Sequence, residues 1–286
     1  MSDMIYTAGM LFDCMLQAFE SAQMEQAEAE TAAIIAELLN CNRLQAKLDR
    51  SRQLTEALWQ EGLSIIGRRL KNEPWQYIFK RAYFRDLVLK VTPDVLIPRP
   101  ETELLVDWCI ENLPDDGSLL DLGTGSGAIA SAMAAERTDS QVTACDISTQ
   151  ALNIAKFNAG FNAPGRINFV QSDLFDSLKG QRFNVIAGNL PYVTEDEYLN
   201  LSPEVRDHEP KLALTSGIDG LDLIRRTIVQ APEYLLRHGA IILEMSSHQT
   251  TPAAELFCQD IRWTAIEILR DYTQRERFVV ARLRDM

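Results

Sequence analysis

Three glycines in five positions, Gly123, Gly125 and Gly127, separate an apolar run from an alanine-rich one, and they constrain the fold more than any other stretch. Ser118 to Leu122 reads as a buried strand and Ala128 to Glu136 as a helix. The loop Asp121-Leu-Gly-Thr-Gly-Ser-Gly127 must therefore turn the chain with positive backbone torsions while staying bare enough for a ligand to approach. The same strand-turn-helix rhythm then repeats. Gln141 to Cys145, Ile167 to Val170 and Phe183 to Ala187 are short apolar runs suited to strands buried on both faces, and Ala240 to Glu244 follows a helix predicted from about Leu221 to Leu236. Such alternation predicts an α/β fold, a mainly parallel sheet with helices on both sides. Phe278 to Leu283 is predicted to add an antiparallel closing strand.

Upstream the pattern differs. Residues 1–74 are rich in Ala, Glu, Gln and Leu, with helical spacing in Ala27, Ile34, Ile35, Leu38 and Leu39 and again in Leu54, Leu58, Leu63 and Ile66. This predicts a small helical bundle in which Asn40 stops one helix and Pro74 ends another. Residues 75–95 change to short aromatic and branched runs, Tyr77-Ile78-Phe79 and Leu87-Val88-Leu89, which predict a β-hairpin connector; Pro93, Pro98 and Pro100 mark a stiff loop. Residues 96–286 then form the sheet domain. The 28 Lys and Arg against 41 Asp and Glu leave a net charge of −13, which excludes a basic nucleic-acid coat. That charge is uneven: −7 over residues 1–40, +6 over 41–90 and −12 beyond. Five scattered cysteines without a CxxC indicate neither a disulfide framework nor a zinc site, and no metal ligand set is expected. No stretch is apolar for the length of a membrane span, and the first 40 residues carry seven acids and no Lys or Arg, unlike a targeting sequence, so a cytoplasmic protein, monomeric, is expected.

Three further groups of residues follow the glycine loop. Asp146 closes the next strand, 25 residues after Asp121, where a carboxylate can accept the two hydroxyls of a ribose or simply cap the helix beginning near Ser148. Ser172-Asp173-Leu174 closes the third strand; there an acid can meet an exocyclic amine and an apolar side chain can cover a ring, or the acid can serve as a helix cap. The fourth strand runs into Asn189-Leu190-Pro191-Tyr192, which is either a turn with a core tyrosine or a site that grips a planar amide. All of these stand at carboxyl ends of consecutive strands, the place where open α/β sheets bind ligands.

The compressed, acid-led GxGxG of Asp121 to Gly127 resembles the cofactor loop of S-adenosylmethionine-dependent methyltransferases, and Asn189-Leu-Pro-Tyr192 resembles the [Asn/Asp]-Pro-Pro-Tyr signature of amino-methylating enzymes. A conjugated amine is a poor nucleophile, so Asn189 and the carbonyl of Leu190 would accept its two N–H groups while Tyr192 packs on its plane. With Ile97-Pro-Arg-Pro-Glu-Thr-Glu103, the Pro74-Trp-Gln-Tyr-Ile78 segment, Glu209-Pro and Gly217-Ile-Asp-Gly220, the chain resembles the peptide chain release factor glutamine N5-methyltransferases of the HemK type over nearly its whole length. That resemblance implies a Rossmann-like class I methyltransferase with a mostly parallel seven-stranded sheet, a helical substrate-recognition domain, and methylation of the Gly-Gly-Gln glutamine of release factors in translation termination. Its donor would be S-adenosylmethionine, held by Gly123, Thr124, Gly125, Ser126, Gly127, Asp146, Asp173, Leu174 and Asn189, with Asn189, Leu190, Pro191 and Tyr192 as the catalytic run. Ribosomal-protein glutamine methyltransferases are the near alternative, set apart by IPRPETE. A DNA adenine N6-methyltransferase shares the four-residue motif, but a charge of −12 over residues 91–286 opposes phosphate binding. A non-enzymatic nucleoside-binding regulator is a third reading. Two positions depart from the family pattern: Leu190 stands where Pro is usual, and Glu244-Met-Ser replaces an expected Glu-Ile-Gly.

Overall fold

The computed structural model describes residues 5–285; residues 1–4, where the expected helical bundle begins, and residue 286 lie outside the described residues. The chain forms two compact units, Met1–Lys80 with Pro203–His208, and Arg81–Ser202 with Glu209–Met286. In the first, side-chain caps start the helices: Thr7 for Ala8–Ser21, Asn42 in a reciprocal pair with Gln45 for Arg43–Leu48, and Thr55 for Glu56–Arg69. Asn40 ends Ala27–Leu39 in the left-handed conformation at φ 50°. Leu11, Phe12, Met15, Phe19, Ile34, Ile35, Leu39 and Ile65 make its core. The strands β1 (Tyr6–Thr7) and β2 (Gln53–Leu54) form a minimal antiparallel pair. Arg69, buried, donates to Glu30 and reaches Glu204 at 3.1 Å, so the helix Pro203–His208 is tied into this unit by charge.

Trp75–Phe79 is a helix where a strand is expected. Pro74 precedes it with its carbonyl accepting from Tyr77 and Ile78 at 3.0 and 3.1 Å, and Trp75 meets Phe79 edge to face four residues on. Trp75, Ile78 and Phe79 pack on the helical core, a contact that outweighs their strand propensity. The hairpin lies just beyond, in the second unit: β3 (Ala82–Phe84) pairs with β4 (Leu87–Leu89). Arg85 at its turn is held by Asp107 and Glu136, each at 2.6 Å.

The second unit is built on seven strands: β5 (Ser118–Leu122), β6 (Gln141–Asp146), β7 (Ile167–Gln171), β8 (Phe183–Gly188), β9 (Leu235–Glu244), β10 (Trp263–Arg270) and β11 (Glu276–Leu283). Their order is β10-β11-β9-β8-β5-β6-β7, parallel from β9 to β7, with β11 antiparallel to both its neighbours. Neighbouring residues point to opposite cores. Leu119, Val142, Val185 and Ile242 pack with the helices Thr102–Asn112 and Ala128–Glu136, whereas Leu120, Cys145, Ile186 and Leu243 pack with Asp222–Gln230 and Thr250–Gln259. The helix expected from Leu221 to Leu236 stops at Gln230, because Pro232 lies in a following 3₁₀ turn, and β9 starts as early as Leu235. The strand not expected from the sequence, β10, is an edge strand with a register shift between Thr264 and Glu267, which breaks the alternation that would mark it in the sequence.

Gly127 begins the helix Ala128–Glu136 at φ 80°, and a Cβ there would sit 3.0 Å from both Cα and Cβ of Ala155. Gly127→Ala therefore combines left-handed strain with a clash against the neighbouring helix, and should lower unfolding free energy by roughly 1–3 kcal/mol in urea titration.

Candidate functional site

The carboxyl ends of four parallel strands, β5 to β8, deliver residues to one cavity of about 390 Å³, a size suited to a nucleoside-bearing ligand. Leu122 to Ser126 follow β5, Cys145 to Ser148 follow β6, Ser172 to Leu174 follow β7 and Asn189 to Pro191 follow β8. The loop Pro93–Arg99 and residues Pro210, Leu212 and Ala213 complete the wall. Asp146 accepts the Gly125 N–H through Oδ2 and the Ser148 N–H through Oδ1, both at 2.8 Å, and each oxygen keeps a lone pair for a ligand hydroxyl. Burial raises its carboxyl above the ordinary range against the pull of those N–H groups. Apart from its two chain neighbours, no described residue comes within 4 Å of where a Cβ at Gly125 would stand, so the loop leaves room for a ligand against its backbone. Asp173 shares its charge with Arg226 at 3.0 Å, and Leu174 is held at φ 46°, an unfavourable torsion for a branched apolar residue, where it covers one wall. These groups fit a nucleoside with a ribose diol and an aminated ring.

Asn189 lies one residue past β8, and its side chain is fixed from behind. Its Nδ2 donates to Thr102 Oγ1 at 3.1 Å, and Thr102 donates in turn to Glu244 Oε2 at 2.7 Å. Thr102 opens the helix after the proline-rich loop, and Glu244 ends β9. The proline-rich loop is held as well: Glu209, buried, accepts from Arg99 at 2.7 Å and from the Ile97 N–H at 3.3 Å. Gln249 fastens the far end of the run, donating to the carbonyls of Tyr192 and Asp219 at 2.8 and 3.0 Å. Leu190 is buried in the apolar cluster and packs against Gly123, so its side chain does more than the carbonyl-only role expected of it.

Of the residues expected from sequence, Gly123 to Ser126, Asp146, Asp173, Leu174, Asn189, Leu190 and Pro191 share the cavity wall. Gly127 does not line it and packs against Ala155 instead; Tyr192 packs on the apolar cluster behind, where burial pushes its phenol up to about 12. Thr102, Glu244, Gln249 and the Arg99–Glu209 pair have no counterpart among the expected site residues. Thr102 stands inside IPRPETE, and Glu244 closes an apolar strand run, where an acid at the end of a buried strand is a signal that could have marked it.

Comparison with known proteins agrees with this architecture. The chain resembles a methyltransferase from Pyrococcus furiosus at TM-score 0.54 and 17% identity, over 77% of its own length and 98% of that one. The Thermus thermophilus 16S rRNA N2 G1207 methyltransferase, solved with AdoMet and guanosine, also gives 0.54, at 18% identity over 71% of this chain and 50% of its own. The shared fold is Rossmann-like, and the family matches that follow make it a methyltransferase. The Methyltransferase small domain matches residues 100–203 and the PrmC N-terminal domain residues 12–79. Release factor glutamine methyltransferases from Coxiella burnetii, 39% identical over 89% of this chain and 93% of the relative, and from Synechocystis sp., 40% identical over 84% and 83%, are similar over most of the length. The chain belongs to the release factor glutamine methyltransferase family.

Asp121 sits behind the glycine loop, fully buried, with Oδ2 accepting from Thr124 at 2.6 Å and from the Ala130 N–H at 3.1 Å while Oδ1 has no partner among the described residues. Burial lifts its carboxyl from 3.8 to about 7. A raised carboxyl keeps its proton in the folded state and loses it in the unfolded one, so stability falls as pH rises from about 4 to about 7 and the loss is complete above that. Asp121→Asn keeps the acceptor and removes the charge. Its melting temperature relative to the natural protein should rise between pH 5 and pH 8, measured without ligand; a constant difference would place the charge elsewhere.

Proposed function

We propose that this chain transfers a methyl group from S-adenosylmethionine to the side-chain amide nitrogen (N5) of the glutamine in the Gly-Gly-Gln motif of peptide chain release factors. The observation that carries the reading is the meeting in one cavity of a nucleoside-shaped wall, Gly123 to Ser126 with Asp146, Asp173 and Leu174, and the amide-gripping run Asn189 to Pro191, in a chain of this family. Asp146 would hold the ribose hydroxyls, and Asp173 with Leu174 the adenine edge and face. Bound S-adenosylmethionine supplies an electrophilic methyl on its sulfonium. Asn189 Oδ1 and the Leu190 carbonyl accept the two N–H groups of the substrate amide and hold its nitrogen in line. No strong base is needed, because the amide proton becomes acidic only as the new N–C bond forms and then leaves to solvent. Tyr192, anchored through its carbonyl by Gln249, shapes the loop behind Pro191.

The first unit is the recognition domain in this reading. A single loop in a cleft offers little area, so specificity needs a second contact. Lys47, Arg50, Arg68 and Arg69 of the basic band are engaged by acids of the same unit, which leaves less free charge than the count suggests. The helix Arg43–Leu48 instead presents Leu44 and Leu48, 66% and 72% exposed and four residues apart. The enzyme acts as a monomer on protein rather than nucleic acid, in keeping with its −13 charge, and the five free cysteines suit the reducing cytoplasm.

Incubation of the protein with S-adenosylmethionine and a release factor should add one methyl to the Gly-Gly-Gln peptide, read by mass spectrometry; an unmodified glutamine overturns the reading. Asn189→Ala should cut single-turnover methylation on the order of 100-fold to 1000-fold with little change in cofactor affinity. Asp146→Ala should weaken cofactor binding by roughly 1.5–3 kcal/mol in calorimetry. Leu44→Ser with Leu48→Ser should raise KM for the intact factor and leave methylation of a short Gly-Gly-Gln peptide unchanged.

A further inference from the structure

Asn189 is useful only if its carboxamide points one way. Oxygen and nitrogen of the group are nearly equal in size, and a half-turn about the last side-chain torsion would set two donors against the two donors of a substrate amide. Shape does not choose between these states. Hydrogen bonding does.

We propose that Thr102 and Glu244 are positioning residues that fix the polarity of the Asn189 carboxamide, so that Oδ1 is the atom offered to the substrate; the proposal rests on the reading of this site as a glutamine methyltransferase. The three residues come from separate elements. Gly188 of β8 lies beside Leu243 of β9 in parallel register, so Asn189 and Glu244 leave adjacent strands side by side. Thr102, buried at the start of its helix, sits between them. A hydroxyl has one proton to give. The 2.7 Å contact to Glu244 Oε2 takes it, and Glu244, only 2% exposed, accepts no other side-chain hydrogen bond among the described residues. Toward Asn189, Thr102 can then offer only a lone pair, and the atom 3.1 Å away has to be the donor, Nδ2. Asn189 Oδ1 makes no hydrogen bond among the described residues, and the half-buried residue lines the cavity. The chain of bonds runs in one direction, from amide N–H to hydroxyl to carboxylate, and its open end is an acceptor.

This gives the Thr102 of IPRPETE and the Glu244 of the variant strand end a shared task. Burying a carboxylate is costly, and a purely structural strand end gains nothing from one. Here the acid is what makes the hydroxyl a committed donor, and so sets the side chain two bonds away. A neutral aliphatic residue at 244 would free the hydroxyl proton to point at Asn189 and stabilise the flipped amide.

The test uses the full chain. Thr102→Val keeps the shape and removes the hydroxyl; at saturating release factor and S-adenosylmethionine it should slow single-turnover methylation by about tenfold to a hundredfold, short of the loss on removing Asn189, with calorimetric cofactor affinity within about twofold. Thr102→Ser should restore the rate. Glu244→Leu, which removes the acceptor for the hydroxyl proton, should fall with Thr102→Val. NMR of the isotope-labelled Asn189 side chain supplies a readout free of catalysis: one amide proton should exchange slowly in the natural protein and in Thr102→Ser, and rapidly in Thr102→Val. A full rate in Thr102→Val, failure of Thr102→Ser to restore it, or an amide that exchanges equally fast in the natural protein and Thr102→Val overturns the relay. A natural protein that leaves glutamine unmethylated overturns the functional reading instead, and the amide exchange then decides the relay alone.

Discussion

Because β5 pairs in parallel with β6 on one side and with β8 on the other, the connections leaving β5 and β8 depart toward opposite faces of the sheet, and a crevice opens between their carboxyl ends. The site depends on that reversal of strand order. The glycine loop leaves β5 along one edge of the crevice and Asn189 leaves β8 along the other, so the glycine wall and the Asn189 to Pro191 run face each other without any long-range loop to bring them together. Backbone pairing fixes their spacing, and the apolar layers above and below keep the strands from shifting register.

Buried carboxylates surround this crevice, and each has a specific partner that offsets its desolvation. Asp121 is met by Thr124 and the Ala130 N–H, Glu244 by Thr102, and Glu209 by Arg99 and the Ile97 N–H. Burial lifts Asp121 and Glu244 alike to about 7, while the hydrogen bonds from Thr124 and Thr102 pull the other way and favour the ionised acceptors. These acids hold loops in place: Asp121 braces the glycine turn, Glu209 the proline-rich loop, and Glu244 the base of Asn189. The cavity walls are loops, and loops without such internal anchors would carry unsatisfied backbone and wander.

The helical unit is organised by capping and by one buried cation. Thr7, Asn42 and Thr55 start three helices, and the Arg69 guanidinium gathers Glu30 and Glu204, the latter from a segment far along the chain. An arginine suits this place because its planar fork serves several acceptors at once while the group stays ionised. Truncating it would leave Glu30 partly buried without its partner, a more damaging change than loss of a surface pair.

The sequence by itself determined the α/β alternation, the glycine turn, the ends of β5 to β8 and the part of the cavity wall those ends supply, because each is a local matter: a short apolar run, a glycine that allows positive φ, an acid just past a strand. It also carried the antiparallel closing strand, now β11. What it left open depended on partners distant along the chain. Trp75 to Phe79 has strand-like composition and becomes a helix because a helical core waits for its apolar face. The edge strand β10 hides behind a register shift. Gly127 reads as part of the ligand loop but is small because Ala155 packs against it, and Leu190 reads as a bare carbonyl but fills space beside Gly123. The partnership of Thr102 with Asn189 and Glu244 spans 87 and 142 residues, and no spacing rule predicts it. Only the packing of β8 against β9, with a helix start laid across their ends, brings one hydroxyl between an amide and a carboxylate and so gives the amide its direction.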